Sequence, residues 1–112
     1  MTFNEKNEIT FNEYQEQTKT FRLSTYNEGA CLFGLLAEAG EVATVMQKSI
    51  RDGWSSEKTE ELMFKELGDI LWHLSEIAND NGWKLSDIAA GNIAKLTSRQ
   101  ARNVISGSGD SR

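Results

Sequence analysis

Apolar residues recur along this chain at intervals of three and four, the period of an amphipathic α-helix, and no stretch alternates apolar and polar as a half-buried strand would. The pattern predicts an all-α fold, an antiparallel bundle of about four helices. "TFNE" at positions 10–13 has the spacing of a capping box and opens a first helix that runs to about Phe21. "RLSTYN" reads as a connector. A second helix is expected over about residues 28–51, a third from Ser56 or Glu57 to about Asn81, and a fourth over about residues 86–104. Gly53 and Gly82 mark the two later junctions, with Ser55, Ser56 and Ser86 as the expected N-caps. No repeat or linker divides the chain, so residues 1–112 read as one domain, with the Gly/Ser-rich residues 106–112 as a flexible tail or lid.

Carboxylates interrupt this apolar pattern. On the second helix Leu32, Leu35, Leu36, Ala39, Val42, Ala43 and Met46 share one arc, which predicts the buried stripe. Glu38 borders that stripe, and Glu41 lies about 60° to its other side, one turn away. On the third helix Glu66 falls inside the apolar face of Leu62, Met63, Ile70, Leu74 and Ile77, and Asp69 follows three residues later. The short "DGWSS" junction predicts an antiparallel hairpin of the two helices. Glu41 and Glu66 then have their midpoint between Gly53 and Trp54, as do Glu38 and Asp69, so all four carboxylates are expected at one level.

Four carboxylates in a partly dry cleft repel one another and lose hydration, at a cost of roughly several kcal/mol unless they are neutralised. A divalent cation supplies that neutralisation, and an all-oxygen donor set favours Mg²⁺, with Mn²⁺ as a substitute. A solvated salt-bridge face is the competing explanation, because "KTEELMFKE" also carries lysines at pairing distance; the symmetry about one turn weighs against it. A ferritin-like di-iron centre would need Glu-x-x-His pairs, and the residue three before the sole histidine, His73, is Ile70. His73, one turn after Asp69, is instead expected to be a packed or hydrogen-bonded residue beside the acidic face, with a hold on a carboxylate or a metal-bound water as the alternative.

Charge and composition narrow the partners. A formal net charge of -5 over 112 residues disfavours a non-specific grip on nucleic acid. Within that acidic chain Lys95, Arg99 and Arg102 follow one another at helical spacing, Asn92 stands one turn before them, and Lys48 lies two turns after Glu41. Such a stripe suits a metal-bound polyphosphate, since Arg clamps phosphate in bidentate fashion and Lys acts as a point charge; cations favoured by a helix C-terminus are the plainer explanation. Arg112 could close over a ligand with the tail. Tyr14, Gln15, Phe21, Trp54 and Trp72 are candidates to stack on or edge a base, against the alternative of core or interface packing. Lone Cys31, between apolar neighbours, reads as a buried thiol in a reducing cytoplasm. The N-terminal "MTFNEKNEIT" has no targeting pattern, and no uninterrupted apolar run is long enough for a bilayer, so a soluble, unprocessed, cytoplasmic protein is expected.

Taken together, "FNEYQEQTKTF", "GLLAEAGEVATVMQK", "KELGDILWHLSEIA" and "NIAKLTSRQAR" with "GSGDSR" resemble the MazG-like all-α nucleoside triphosphate pyrophosphohydrolases, relatives of the dimeric dUTPases and the phosphoribosyl-ATP pyrophosphohydrolases. The compact single copy is similar to the small forms of phages and mobile elements, which would place it in a host cytoplasm. The resemblance implies that Glu38, Glu41, Glu66 and Asp69 are catalytic Mg²⁺ ligands, one of them acting through water as general base. It also implies that Lys48, Asn92, Lys95, Arg99 and Arg112 contact phosphates. The implied reaction splits a nucleoside triphosphate between its α and β phosphates into monophosphate and pyrophosphate, for nucleotide-pool control or house-cleaning. The implied assembly is a homodimer or homotetramer. A base-restricted enzyme of dUTP or dGTP type, or a non-catalytic helical dimerisation or nucleotide-sensing module, are the alternatives.

Overall fold

A computed structural model describes residues 7–112 of the chain. Among the described residues there are four α-helices and no strand: α1 Phe11–Thr18, continued by a 3₁₀ turn Lys19–Phe21, then α2 Glu28–Asp52, α3 Ser56–Asn81 and α4 Leu85–Ala101. The capping box of α1 forms as its spacing predicts: Glu13 N–H donates to Thr10 Oγ1 at 3.1 Å, and Thr10 N–H donates to Glu13 Oε1 at 3.3 Å. Asn27 caps α2 by accepting from Ala30 N–H at 2.9 Å. Ser55, not Ser56, caps α3, its Oγ accepting from Lys58 N–H at 3.1 Å. Gly53 and Gly82 end α2 and α3 with φ of 65° and 69°, a left-handed conformation that glycine adopts without a Cβ penalty.

The start of α4 differs from its expected form. The helix begins at Leu85, and Ser86 does not cap it; the Ser86 hydroxyl donates to Asn12 Oδ1 at 3.0 Å. The orphan Leu85 N–H is taken up from α1 instead, by Gln15 Oε1 at 2.8 Å. A side chain 70 residues away thus does the work of a local cap. The helix also stops at Ala101 and not near Val104, because Asn103 turns to φ 57° and Val104 N–H bonds back to Arg99 O at 2.8 Å.

The antiparallel pairing of α2 with α3 is the most extensive in the fold. Its inner seam runs through Cys31, Leu35, Glu38, Val42, Val45 and Ser49 on α2 and Thr59, Met63, Glu66, Ile70, His73 and Ile77 on α3, all buried or half-buried. Both sets step by four and three, the spacing of helices packed along a shared line. Near the tip the Ser49 and Thr59 hydroxyls are 2.7 Å apart, and two-thirds of the way down the His73 ring lies against Gly34. These pairs centre on Trp54 and on the Gly53–Trp54 bond, so the register follows the turn as expected.

The buried stripe expected on α2 is only partly buried. Leu35 and Val42 face α3, but Leu32, Leu36, Ala39, Ala43 and Met46 are exposed, Leu36 at 73%, and Ile50 continues the same line at 80%. They form a second seam with the same four-three spacing, displaced by one residue and hence by about 100° around the helix. One partner helix covers one seam, and α3 takes the one that contains Glu38. Leu74, expected within the apolar face of α3, is likewise exposed.

On its other flank α3 holds α1 through polar groups. Glu76 is 1% exposed, with Asn79 Nδ2 donating to it at 2.7 Å and the Thr18 hydroxyl at 2.9 Å. Arg22 spans Glu76 Oε1 at 3.4 Å and both oxygens of Asp80 at 2.7 and 3.1 Å. Buried charges persist where every oxygen finds such donors. By length and composition α2 reaches what a bilayer-crossing helix needs, although its apolar run is interrupted. Glu38 and Glu41, however, stand near its middle, where a membrane span tolerates carboxylates least.

Candidate functional site

Three carboxylates meet across the α2–α3 seam. Glu38 of α2 and Glu66 and Asp69 of α3 each place an oxygen within 4.8 Å of the others, with the two glutamates half-buried and Asp69 exposed. Glu41 points from the next line of α2, is exposed, and stands outside that three-residue group. Its charge is still felt. The Glu66 carboxyl is pushed above its ordinary range by burial first, then by a hydrogen bond to Glu38, and then by the charges of Glu38, Asp69 and Glu41.

Gathering carboxylates in the seam makes the buried one costlier to ionise, and that cost is the mark of uncompensated negative charge. A hard divalent cation offsets that charge and accepts the same oxygen donors, so these residues fit a divalent-metal site. The salt-bridge alternative has no counterpart here. None of the ion pairs among the described residues involves Glu38, Glu41, Glu66 or Asp69.

A rigid neighbour supports the Asp69 turn. His73, 7% exposed, places Nδ1 2.7 Å from the Asp69 carbonyl, which only accepts, so Nδ1 carries the proton. Nε2 is then the acceptor for the Tyr26 hydroxyl, at 2.7 Å. Trp72 packs edge-on to the imidazole at 5.0 Å between ring centres, and its Nε1–H donates to Thr18 O at 3.2 Å. His73 is therefore the packed, hydrogen-bonded residue its position suggests. Tyr26 was not foreseen, because it lies in the connector before α2; the one available signal was Gly34, a glycine inside a helical pattern that marks a close approach.

The base-edge candidates separate into two groups. Tyr14 is half-buried on the Asp69 side, its hydroxyl pushed up by burial and then by the charges of Asp69 and Glu76. Trp54 lines an apolar groove of about 680 Å³ at the hairpin tip with Met46, Met63 and Leu67, and Lys58 Nζ lies 4.2 Å from its ring centre. Gln15 and Trp72 instead fasten α1: the Gln15 amide donates to Asn79 Oδ1 and to Trp83 O, both at 2.8 Å, besides capping Leu85. Phe21 is 73% exposed.

Of the cations, Lys95 and Arg99 converge on the Asp110 carboxylate at 3.4 and 3.2 Å, and their hydrogen bonds hold it below its ordinary range, those of Arg99 first. Arg112 turns inward, donating to the carbonyls of Val104, Ile105 and Gly109. Lys48 and Asn92 are exposed on α2 and α4.

Residues 27–104 match the family profile of the MazG nucleotide pyrophosphohydrolase domain. The chain is also similar to the Gene 37 protein of Mycobacterium phage L5, with 41% identity over 81 residues that cover 70% of this chain and 71% of the relative. No solved structure matches it at a significant level.

Proposed function

As the chain belongs to the MazG nucleotide pyrophosphohydrolase family, we propose that it hydrolyses nucleoside triphosphates, deoxynucleotides included, between the α and β phosphates to monophosphate and pyrophosphate with Mg²⁺. The observation that carries this reading is the meeting of Glu38, Glu66 and Asp69 across the seam, where burial and the neighbouring carboxylates push the Glu66 carboxyl above its ordinary range. Those three carboxylates would hold the ion, with Glu41 at the same level. When bound, Mg²⁺ neutralises polyphosphate charge and acidifies the attacking water. Glu41, outside the group of three, is the carboxylate left to accept that water's proton. His73 and Tyr26 fix the Asp69 turn, while Lys95 and Arg99, with exposed Lys48 and Asn92, meet the negative charge of the departing pyrophosphate. Tyr14 and the groove beside Trp54 are the surfaces offered to the base.

A panel of nucleoside and deoxynucleoside triphosphates, incubated with the protein and Mg²⁺ or Mn²⁺, tests this directly. Equimolar monophosphate and pyrophosphate are expected. Orthophosphate in place of pyrophosphate would mean cleavage at the β–γ bond, and no product from any nucleotide would leave the non-catalytic module as the better account.

The exposed seam of α2 supports assembly from copies of this chain. No described element covers Leu32, Leu36, Met46 or Ile50, and side chains of that kind line the cores of obligate interfaces. Leu36→Glu is expected to reduce the mass measured by light scattering from a dimer or tetramer to the 12.6 kDa monomer. An unchanged mass would place the contact elsewhere.

A further inference from the structure

The end of the chain folds back over the cationic end of α4, and the contact is incomplete in an informative way. Arg99 is 5% exposed. Its Nη2 donates to Asp110 Oδ1 at 3.2 Å and to the Asp110 carbonyl at 3.0 Å, yet its Nε is buried with no hydrogen-bond partner. Lys95 Nζ approaches the same Oδ1 at 3.4 Å. The acid in this pairing is at the surface: the Asp110 side chain is 89% exposed. The strap that carries it reverses at Gly107 and Gly109, with φ of 122° and 85°. It is tied down by arginines that donate to carbonyls: Arg112 to Val104, Ile105 and Gly109, and Arg102 to Arg112 O at 2.8 Å.

A guanidinium presents its N–H groups as a rigid fork, and a buried one is satisfied when an anion fills both edges. Asp110 supplies a single carboxylate oxygen, shared with Lys95, and leaves the Nε edge unfilled. A terminal phosphate brings three oxygens and more charge, enough for Nε, Nη2 and the Lys95 ammonium together. The site is therefore built for a larger oxyanion than the one it holds.

We propose that Asp110 is an internal stand-in for phosphate: in the free protein it occupies the Lys95–Arg99 site, and an incoming polyphosphate displaces it and lifts the 106–112 strap from α4. This deepens the pyrophosphohydrolase reading and rests on its assignment of Lys95 and Arg99 to phosphate. The strap then acts as a built-in competitor. It sets a threshold that a highly charged polyphosphate clears more readily than a single orthophosphate, since only the former offers enough charge to replace the carboxylate.

Inorganic tripolyphosphate, titrated calorimetrically into the whole chain with EDTA present, tests displacement without turnover or metal. Asp110→Asn is expected to tighten tripolyphosphate binding about fivefold, the scale of a partly exposed ion pair. Adding Lys95→Gln, at a position that tolerates substitution because it is exposed, is expected to reverse that gain. Amide exchange over residues 106–112 should rise on saturation with tripolyphosphate. Unchanged or weaker binding by Asp110→Asn, no binding by either protein, or protection of the strap by the ligand would each overturn the proposal, the last by making the strap a closing lid. The two readings fail separately. Tightened binding in a protein that releases no pyrophosphate from any nucleotide leaves displacement standing, whereas turnover with no effect of Asp110→Asn on anion affinity removes displacement alone.

Discussion

Glu66→Gln is expected to lower nucleotide turnover on the order of a thousandfold while leaving the metal-free protein at least as stable as the wild type. The two effects have one source. Glu66 sits in the α2–α3 seam, where burial and the charges of Glu38, Asp69 and Glu41 hold its proton more tightly than in the unfolded chain. A folded-state pKa raised above the unfolded value means that the native state binds the extra proton, so the associated stability is fully present below the ordinary carboxylate range and is lost as pH rises through the folded value. Melting curves in EDTA at increasing pH should therefore show wild type losing ground to Glu66→Gln from about pH 4.5 upward. The glutamine still offers an N–H to Glu38, keeping the seam bridged. Mg²⁺ should raise the Tm of the wild type and not that of the variant, because binding to the native state alone is what stabilises it. A variant that fails to fold would identify Glu66 as half of a structural ion pair, and one whose melting tracks the wild type at every pH would show that its charge is not crowded in the seam.

The sequence made the level of these carboxylates legible because register in an antiparallel helix pair depends on one thing, the position of the turn. Ser49 beside Thr59 and Gly34 beside His73 both obey that count. Rotation about the helix axis was harder to read. In α2 the outward line of Leu32, Leu36, Ala39, Ala43, Met46 and Ile50 is more apolar than the inward line of Cys31, Leu35, Glu38, Val42, Val45 and Ser49. Apolar content alone thus selects the wrong face for a single chain. What selects the inner line is its match to α3, which presents Thr59, Glu66 and His73 along its own seam. The same rotation explains why Glu41, at the right height, stands apart from the other three carboxylates. Long-range polar contacts were out of reach for a different reason. Gln15 capping Leu85, and Arg22 bridging to Glu76 and Asp80, join residues that no helical period connects. Composition marks the tail as flexible and carries no record of the Arg99 and Arg112 contacts that fold it back.

Gly34→Ala is expected to destabilise the protein by about 1–3 kcal/mol, the scale of a core forced to accept one extra carbon. In an ordinary helix interior the same change is favourable by about 0.5–1 kcal/mol, since glycine surrenders more backbone freedom than alanine on folding. The sign is therefore diagnostic. A Cβ at position 34 would overlap the Tyr26 hydroxyl and the His73 Nε2, the two atoms of a single hydrogen bond. Neither can retreat freely: the imidazole is tied through Nδ1 to the Asp69 carbonyl and wedged against Trp72. Gly40→Ala provides the control on the same helix, because a Cβ there meets open space. Chemical denaturation of the two variants should move their midpoints in opposite directions. Displacing His73 also pulls on the Asp69 turn, so Gly34→Ala should diminish the Mg²⁺-induced rise in Tm while Gly40→Ala keeps it. Removing the obstructing ring gives a second test of the cause: Gly34→Ala with His73→Ala should cost less than the sum of the single changes, as expected of neighbours competing for one space. Strict additivity, or a Gly34→Ala protein as stable as Gly40→Ala, would mean that the histidine is not held rigidly enough to position the site.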